Sequence, residues 1–283
     1  RAHRARPRAG DGLSRRGQVV YRGLGVGGLL GAALTRAGHD VLLLLRPVTH
    51  ARYDGRLRVE SAKLGDIEVD VPSTTKLDRE VDVLWVTPKA TQLEAALELV
   101  PPDRLAGAIV VPLLNGLDHV DVLRARFGDD SVLPGVIYVE SERTGVDRIR
   151  QPSAFAHVEL APGGRARLLC TDLGAAGLTC DVGPSEQAVL LRKLATLAPV
   201  ALTTTALSAP LSAVMSDPPW RQRLEACMRE VATVAAAEGV EFDVDATLAA
   251  CERAGNMRSS MQKDRATGRP LKLDAIGGAE LRA

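Results

Sequence analysis

Gly23, Gly25 and Gly28 stand in a G-x-G-x-x-G pattern between a strand-like run at residues 18–22 and a helical period at residues 27–37. Few local features constrain a fold more. The first glycine permits a tight turn, the second lets the backbone approach a pyrophosphate, and the third allows close packing of helix on strand. The helix N-terminus that follows presents N–H donors and a positive dipole end to phosphates. The spacing therefore predicts the opening of a dinucleotide-binding βαβ unit. Its second strand, residues 41–45, ends on Arg46. An acid there would bond a ribose 2′-hydroxyl and repel a 2′-phosphate, whereas a guanidinium attracts the phosphate and can bond it bidentately. Arg46 points to NADP.

The pattern after this unit extends the same architecture. Short apolar runs at residues 81–86, 108–114 and 132–139 alternate with helical periods such as residues 91–100. Continuous β-branched runs with helices between them predict parallel strands buried on both faces, hence a Rossmann-type open sheet. Residues 57–72 instead alternate around Gly65-Asp66 and predict a hairpin-like excursion. Beyond Pro184 the strand signals stop. Three helices are expected there, with Ser185 and Asp245 as N-caps and Gly239 as a C-cap. The expected class is α/β: an N-terminal dinucleotide-binding domain over residues 18–183 and an all-α C-terminal domain over residues 184–283. Residues 1–17 are expected to be a disordered basic extension.

Composition narrows the partners. At 283 residues there is chain enough for two cored domains, and aromatics at 3% mean that Leu, Val and Ala fill them. A net charge of +1 offers no broad basic field, so neither nucleic acid nor a membrane surface is expected as a partner. The first eighteen residues carry six arginines against one acid with no apolar run after them, unlike a secretory signal, and no stretch reads as a bilayer span. Cys170, Cys180, Cys227 and Cys251 lack metal-ligand spacing, so they read as reduced thiols of a cytoplasmic protein, with no metal site and no disulfide framework.

Three stretches carry chemistry. "VDVLWVTPKATQ" ends a buried strand with Lys89 and Gln92, at the carboxyl-end crevice where open sheets bind ligands. "IVVPLLNGL" does the same with Asn115-Gly116. "LLRKLATL" sets Lys193 among apolar residues on the first helix of the second domain, where desolvation would lower its pKa and make it a usable proton donor.

With these pieces in order, and with "SSMQKDRATGRPLKLDAI" near the end, the chain resembles the ketopantoate reductase (2-dehydropantoate 2-reductase) family over residues 18–276. The resemblance implies NADPH-dependent reduction of a small 2-keto acid, 2-dehydropantoate by default, in pantothenate biosynthesis. It implies Lys193 as the general acid, Asn115 beside nicotinamide and substrate, Lys89 and Gln92 on the cofactor side, and Ser259 or Ser260 at the substrate carboxylate. A homodimer is compatible with the reading.

Departures from the family pattern bear on the substrate. Asparagines expected after the catalytic lysine are Leu197 and Ala201, and a glutamate of the last motif is Lys272, with Asp274 kept. Lost amides weaken substrate recognition by about 1 kcal/mol per hydrogen bond. A lysine near Lys193 would depress its pKa further. The resemblance also implies a further loop and helix beyond "AIGG". Two other readings follow: a paralogue reducing another carbonyl compound, or a catalytically weak dinucleotide-binding relative.

Overall fold

A computed structural model describes residues 17–21 and 25–278. The expected basic extension at residues 1–16 and Gly23 lie outside the described residues. Five parallel strands form the first sheet: β1 (Gln18–Tyr21), β2 (Val41–Leu44), β5 (Ser73–Thr74), β6 (Val83–Val86) and β7 (Ile109–Pro112), in the order β5-β2-β1-β6-β7. The chain winds outward from β1 to β5 on one side, then returns to lay β6 and β7 on the other. The strand order reverses between β1 and β6, which opens a crevice at their carboxyl ends.

Helix α1 (Val26–Arg36) is buried on two sides because small and aliphatic residues let it be. Leu29, Leu30 and Leu34 pack on Val41 and Leu43 of the parallel sheet, and on Leu57, Val59 and Ile149 of a second sheet. That second sheet holds the expected hairpin, β3 (Arg56–Ser61) with β4 (Ile67–Asp70), antiparallel around Gly65. Its other strands arrive from far along the chain. β10 (Arg148–Gln151) pairs parallel to β3, and β9 (Glu142–Arg143) pairs antiparallel to β10.

The run at residues 132–139 departs from expectation. Only Val132 bridges the parallel sheet, through Val110. Its continuation β8 (Gly135–Tyr138) pairs antiparallel with β11 (His157–Leu160), which lies parallel to β12 (Thr179–Val182) in a third sheet. Apolar runs buried on both faces do not specify strand direction, and β11 supplies the partner here. Helix α5 (Ala166–Ala175) crosses between β11 and β12, and Cys170 on it is disulfide-bonded to Cys180 on β12, with Cα atoms 5.0 Å apart. The expectation of four reduced thiols is corrected: Cys227 and Cys251 alone are free.

All that follows β12 in the described chain is helical. Ser185 caps α6 (Glu186–Leu207), its side chain accepting the Ala188 N–H at 3.1 Å. By length and composition α6 could cross a bilayer, contrary to the sequence reading. It is instead a core helix, with Val189 and Leu190 packed on Val136 of β8 and Val120. Helices α7 (Leu211–Ser216), α8 (Pro218–Ala237), α9 (Val244–Arg253) and α10 (Ser260–Ala266) follow, then a π-helical turn, Asp274–Gly278. Gly239 at φ +72° ends α8, its N–H donating to the Ala236 carbonyl and the Val240 N–H to that of Ala235.

The cap of α9 is Asp243, whose carboxylate accepts the Ala246 N–H at 2.8 Å; Asp245 lies inside the first turn. Both precede the same apolar period, so pattern alone could not separate them. The Asp243→Ala variant is expected to lose about 1 kcal/mol of stability. Asp245→Ala should lose less than about 0.5 kcal/mol. Urea denaturation of the two variants checks the assignment.

Candidate active site

The carboxyl ends of β6 and β7 meet α6, α10 and the last turn along one seam. Lys89 follows β6 and caps a 3-10 turn, Ala90–Gln92, which runs into the short helix α3 (Leu93–Leu97). Its ammonium reaches both oxygens of Asp264 on α10 at 2.7 Å, and Arg269 Nε reaches Oδ1 of the same carboxylate at 2.9 Å. Asp264 is 2% exposed. This ion pair bridges sheet and helices. Lys89, expected on the cofactor side, is thus bonded to the helical part.

Lys193 lies on α6 where the helix crosses β8, 8% exposed. Its ammonium donates to the Ile137 carbonyl at 2.7 Å and lies 5.6 Å from the centre of the Tyr138 ring. Burial, with the charge of Lys272 adding to it, brings its pKa down to about 7. Lys272, 6% exposed, donates to Ser260 Oγ at 2.9 Å. Burial also lowers its pKa to about 8, with Asp264 opposing the shift and Lys89 adding to it.

The two serines divide in role. Ser259 is buried and caps α10: its Oγ accepts the Gln262 N–H at 3.1 Å and the Thr204 hydroxyl at 2.9 Å. Ser260 is exposed. Asn115 is half-buried, and its side chain makes no hydrogen bond among the described residues. Gly116 follows at φ +91°, where a Cβ would lie 2.1 Å from the Ala275 carbonyl oxygen. The last turn therefore rests directly on the Asn115-Gly116 loop. Leu197 and Ala201 join Leu194, Met261, Ile276 and Leu117 in an apolar wall.

At the other end of the crevice, Arg46 is exposed at the N-terminus of a short helix, α2 (Pro47–His50). Arg143 of β9 comes close to it. Burial and the charges of Arg46 and Arg52 hold the Arg143 guanidinium below its ordinary value. Among the described residues none of the three arginines has an acidic partner within salt-bridge distance. Arg46 and Arg52 lie near enough to act on Arg143, and a group of guanidiniums with no acidic partner among the described residues is suited to an anion.

The first turn of α1 carries no acid and no side chain caps it, which suits an anion. The open side of Gly25 is filled differently from expectation. A Cβ there would lie 2.4 Å from the Ser141 carbonyl oxygen, so glycine is required by the chain itself as well as by any pyrophosphate. Ser141 Oγ is buried there without a partner. Gly28 is buried in α1. Gln92 is half-buried beside Lys89, with its backbone N–H on the Lys89 carbonyl. These features fit a dinucleotide: an N-terminal helix turn, an orphan hydroxyl and an arginine cluster for a phosphate.

Arg52, Arg143, Asp264 and His119 were not among the expected site residues. Asp264 lay in a motif already singled out. Arg143 had no local signal, because the β10–β3 pairing that delivers it spans some ninety residues. His119, at the start of α4 (His119–Phe127), is 4% exposed with both ring nitrogens unpartnered. Burial, and then Lys193, lower its pKa to about 4.

Comparison with known proteins bears on all of this. The family model for ketopantoate reductase PanE/ApbA matches residues 23–163, and that for the ketopantoate reductase PanE/ApbA C terminal matches residues 187–283. A 2-dehydropantoate 2-reductase of Mycobacterium tuberculosis is 28% identical over 268 residues, covering 91% of this chain and 87% of its own. The crystal structure of a 2-dehydropantoate 2-reductase from Geobacter metallireducens superposes with a TM-score of 0.85 at 25% identity, covering 94% of this chain and 92% of that one. The ternary structure of a D-mandelate dehydrogenase with NADH and anilino(oxo)acetate has a TM-score of 0.81 at 23% identity, with 94% and 91% covered, a likeness of fold.

His119 yields a stability prediction. The unfolded chain protonates it near 6.5 and the folded chain only near 4. Protons therefore favour unfolding in that window, and stability falls as pH drops from about 6.5 to 4. At about 1.4 kcal/mol per unit the loss approaches about 3 kcal/mol. The His119→Leu variant should lose this slope, which urea midpoints measured across the window will read.

Proposed function

The chain belongs to the ketopantoate reductase family, and on that premise we propose that it reduces a 2-keto acid to the 2-hydroxy acid with NADPH, 2-dehydropantoate being the default substrate. The observation that carries this is Lys193: a buried ammonium at the seam, with a pKa of about 7. A proton donor works best when its pKa lies near the working pH. The arginine cluster supports NADPH, since Arg46, Arg52 and Arg143 suit the extra phosphate that distinguishes it from NADH.

The α1 N-terminus and the Ser141 hydroxyl beside Gly25 would meet the pyrophosphate, with Gly28 letting α1 pack closely, and Asn115 would meet the nicotinamide end. When bound, the nicotinamide supplies the hydride. Lys193 donates a hydrogen bond to the keto oxygen, stabilises the charge that builds on it, and passes its proton to it. The resulting amine is reprotonated from solvent. The Ile137 carbonyl and the Tyr138 ring keep the ammonium aimed.

A second reading has its own observation. Leu197 and Ala201 are packed into an apolar wall, which favours a keto acid with a more apolar tail than ketopantoate. Turnover of ketopantoate against a panel of 2-keto acids separates the two. The NADH-bound D-mandelate dehydrogenase makes the cofactor worth testing directly.

We expect Lys193→Met to cut kcat by about 10²–10⁴-fold and to leave NADPH affinity within about twofold. In the unaltered protein, kcat/KM for reduction should fall as pH rises through about 7, as Lys193 loses its proton. Unchanged turnover in the variant excludes Lys193 as the acid. By calorimetry, NADPH should bind more tightly than NADH. Arg46→Ala and Arg143→Ala should each weaken NADPH by about 10- to 100-fold without affecting NADH. Equal affinity for both cofactors in the unaltered protein refutes the NADP assignment.

A further inference from the structure

Lys272 is a buried lysine that the proposed reaction does not use. Such burial is rare without a carboxylate partner, because removing an ammonium from water is costly. Here the only acceptor bonded to Lys272 among the described residues is the neutral Ser260 hydroxyl at 2.9 Å. An ammonium has three donors, so two are left over. Asp264, the carboxylate nearest by effect, is already bonded through both oxygens by Lys89 and through one by Arg269. Lys193 is in a similar position, with one backbone carbonyl. Lys89 and Arg269 share the Asp264 carboxylate, and among the described residues neither Lys193 nor Lys272 is bonded to one. The two ammoniums are short of an anion.

We infer that Lys272, acting with Ser260, is the anchor for the substrate carboxylate, on a turn whose Ile276 packs with Leu194 and Ala198 beside Lys193, so that the two ammoniums serve the two adjacent oxygens of a 2-oxo acid. This rests on the reading of Lys193 given above. A 2-oxo acid carries its keto oxygen and a carboxylate oxygen on neighbouring carbons, so two neighbouring ammoniums can take one each. Ser260 accepts from Lys272 and keeps its own O–H to donate to the carboxylate. Ser259 is excluded from this role, since it is buried and occupied as a cap. The wall of Leu197 and Ala201 offers no donors, so recognition rests on charge. Lys272 also tunes Lys193, which is faced besides by His119 from α4 and Tyr138 from β8. Lys272 itself is faced by Asp264 of α10 and by Lys89.

Oxamate, an isostere of a 2-oxo acid that resists reduction, tests the anchor apart from turnover. Calorimetry on the NADPH-loaded protein should show oxamate binding weakened about 30-fold or more in Lys272→Met. Lys272→Arg, which keeps the charge, should stay within about fivefold. In kinetics, Lys272→Met should raise KM for a keto acid by a like factor with little loss of kcat, and leave KM for its uncharged methyl ester unchanged. The basic limb of the pH profile should move to higher pH, because Lys193 loses a repelling neighbour. Oxamate binding unchanged in Lys272→Met overturns the inference, as does equal loss of acid and ester. Should the unaltered protein oxidise NADPH with no keto acid, the proposed reaction fails, while the oxamate comparison still decides the role of Lys272.

Discussion

The carboxylate of Asp264 holds the seam together. It receives Lys89 from the sheet's carboxyl edge and Arg269 from the segment beyond α10, and it is almost fully removed from water. A buried ion pair contributes only when its remaining lone pairs are also met, and here Oδ1 is met twice and Oδ2 once. Its effect reaches past its own bonds. Among the described residues neither Lys272 nor Lys193 is bonded to a carboxylate, and burial makes both ammoniums easier to deprotonate, for Lys272 against the pull of Asp264. The acid–base character of the site therefore follows first from burial, and then from the lysines' effect on one another.

The position of the last turn depends on the same seam. Lys272 enters the site only because the chain between Arg269 and Ala275 runs back over the Asn115-Gly116 loop. A side chain at Gly116 would collide with the Ala275 carbonyl, so glycine at φ +91° is what permits the approach. The requirement for glycine in that loop thus has a packing cause that is independent of any ligand. The same holds at Gly25, where the Ser141 peptide occupies the open side. In both places the glycine admits a distant piece of the chain.

Local chemistry made much of this legible beforehand. Helix α1 after Gly25, the strands ending just before Arg46, Lys89 and Asn115, the hairpin around Gly65 and the Ser185 cap all depend on neighbours within a few residues. So did the desolvation of Lys193, announced by the leucines around it. What pattern could not supply was pairing over long distance. β8 reads as one more parallel strand until β11 is seen to bind it antiparallel. Cys170 and Cys180 are unremarkable until α5 is laid across β12. Arg143 reaches Arg46 only because β10 returns to β3. Asp243 and Asp245 stand two positions apart at the start of one helix, a difference that periodicity does not resolve.

The site exchanges one kind of recognition for another. Where family members resembled by this chain carry asparagines, it has Leu197 and Ala201 in an apolar wall, and where they carry a glutamate it has Lys272. Amides recognise a ligand by direction, since each donor must meet an acceptor at a set angle. Buried ammoniums act by charge and tolerate a range of positions. Such a pocket distinguishes an anion from a neutral molecule strongly and one anion's tail from another's weakly. On the proposed reading, the apolar wall is then the element that sorts substrates, by the volume it leaves and because its side chains, Leu197, Ala201, Leu194, Met261 and Ile276, bring no donor to a hydroxyl on the substrate's tail.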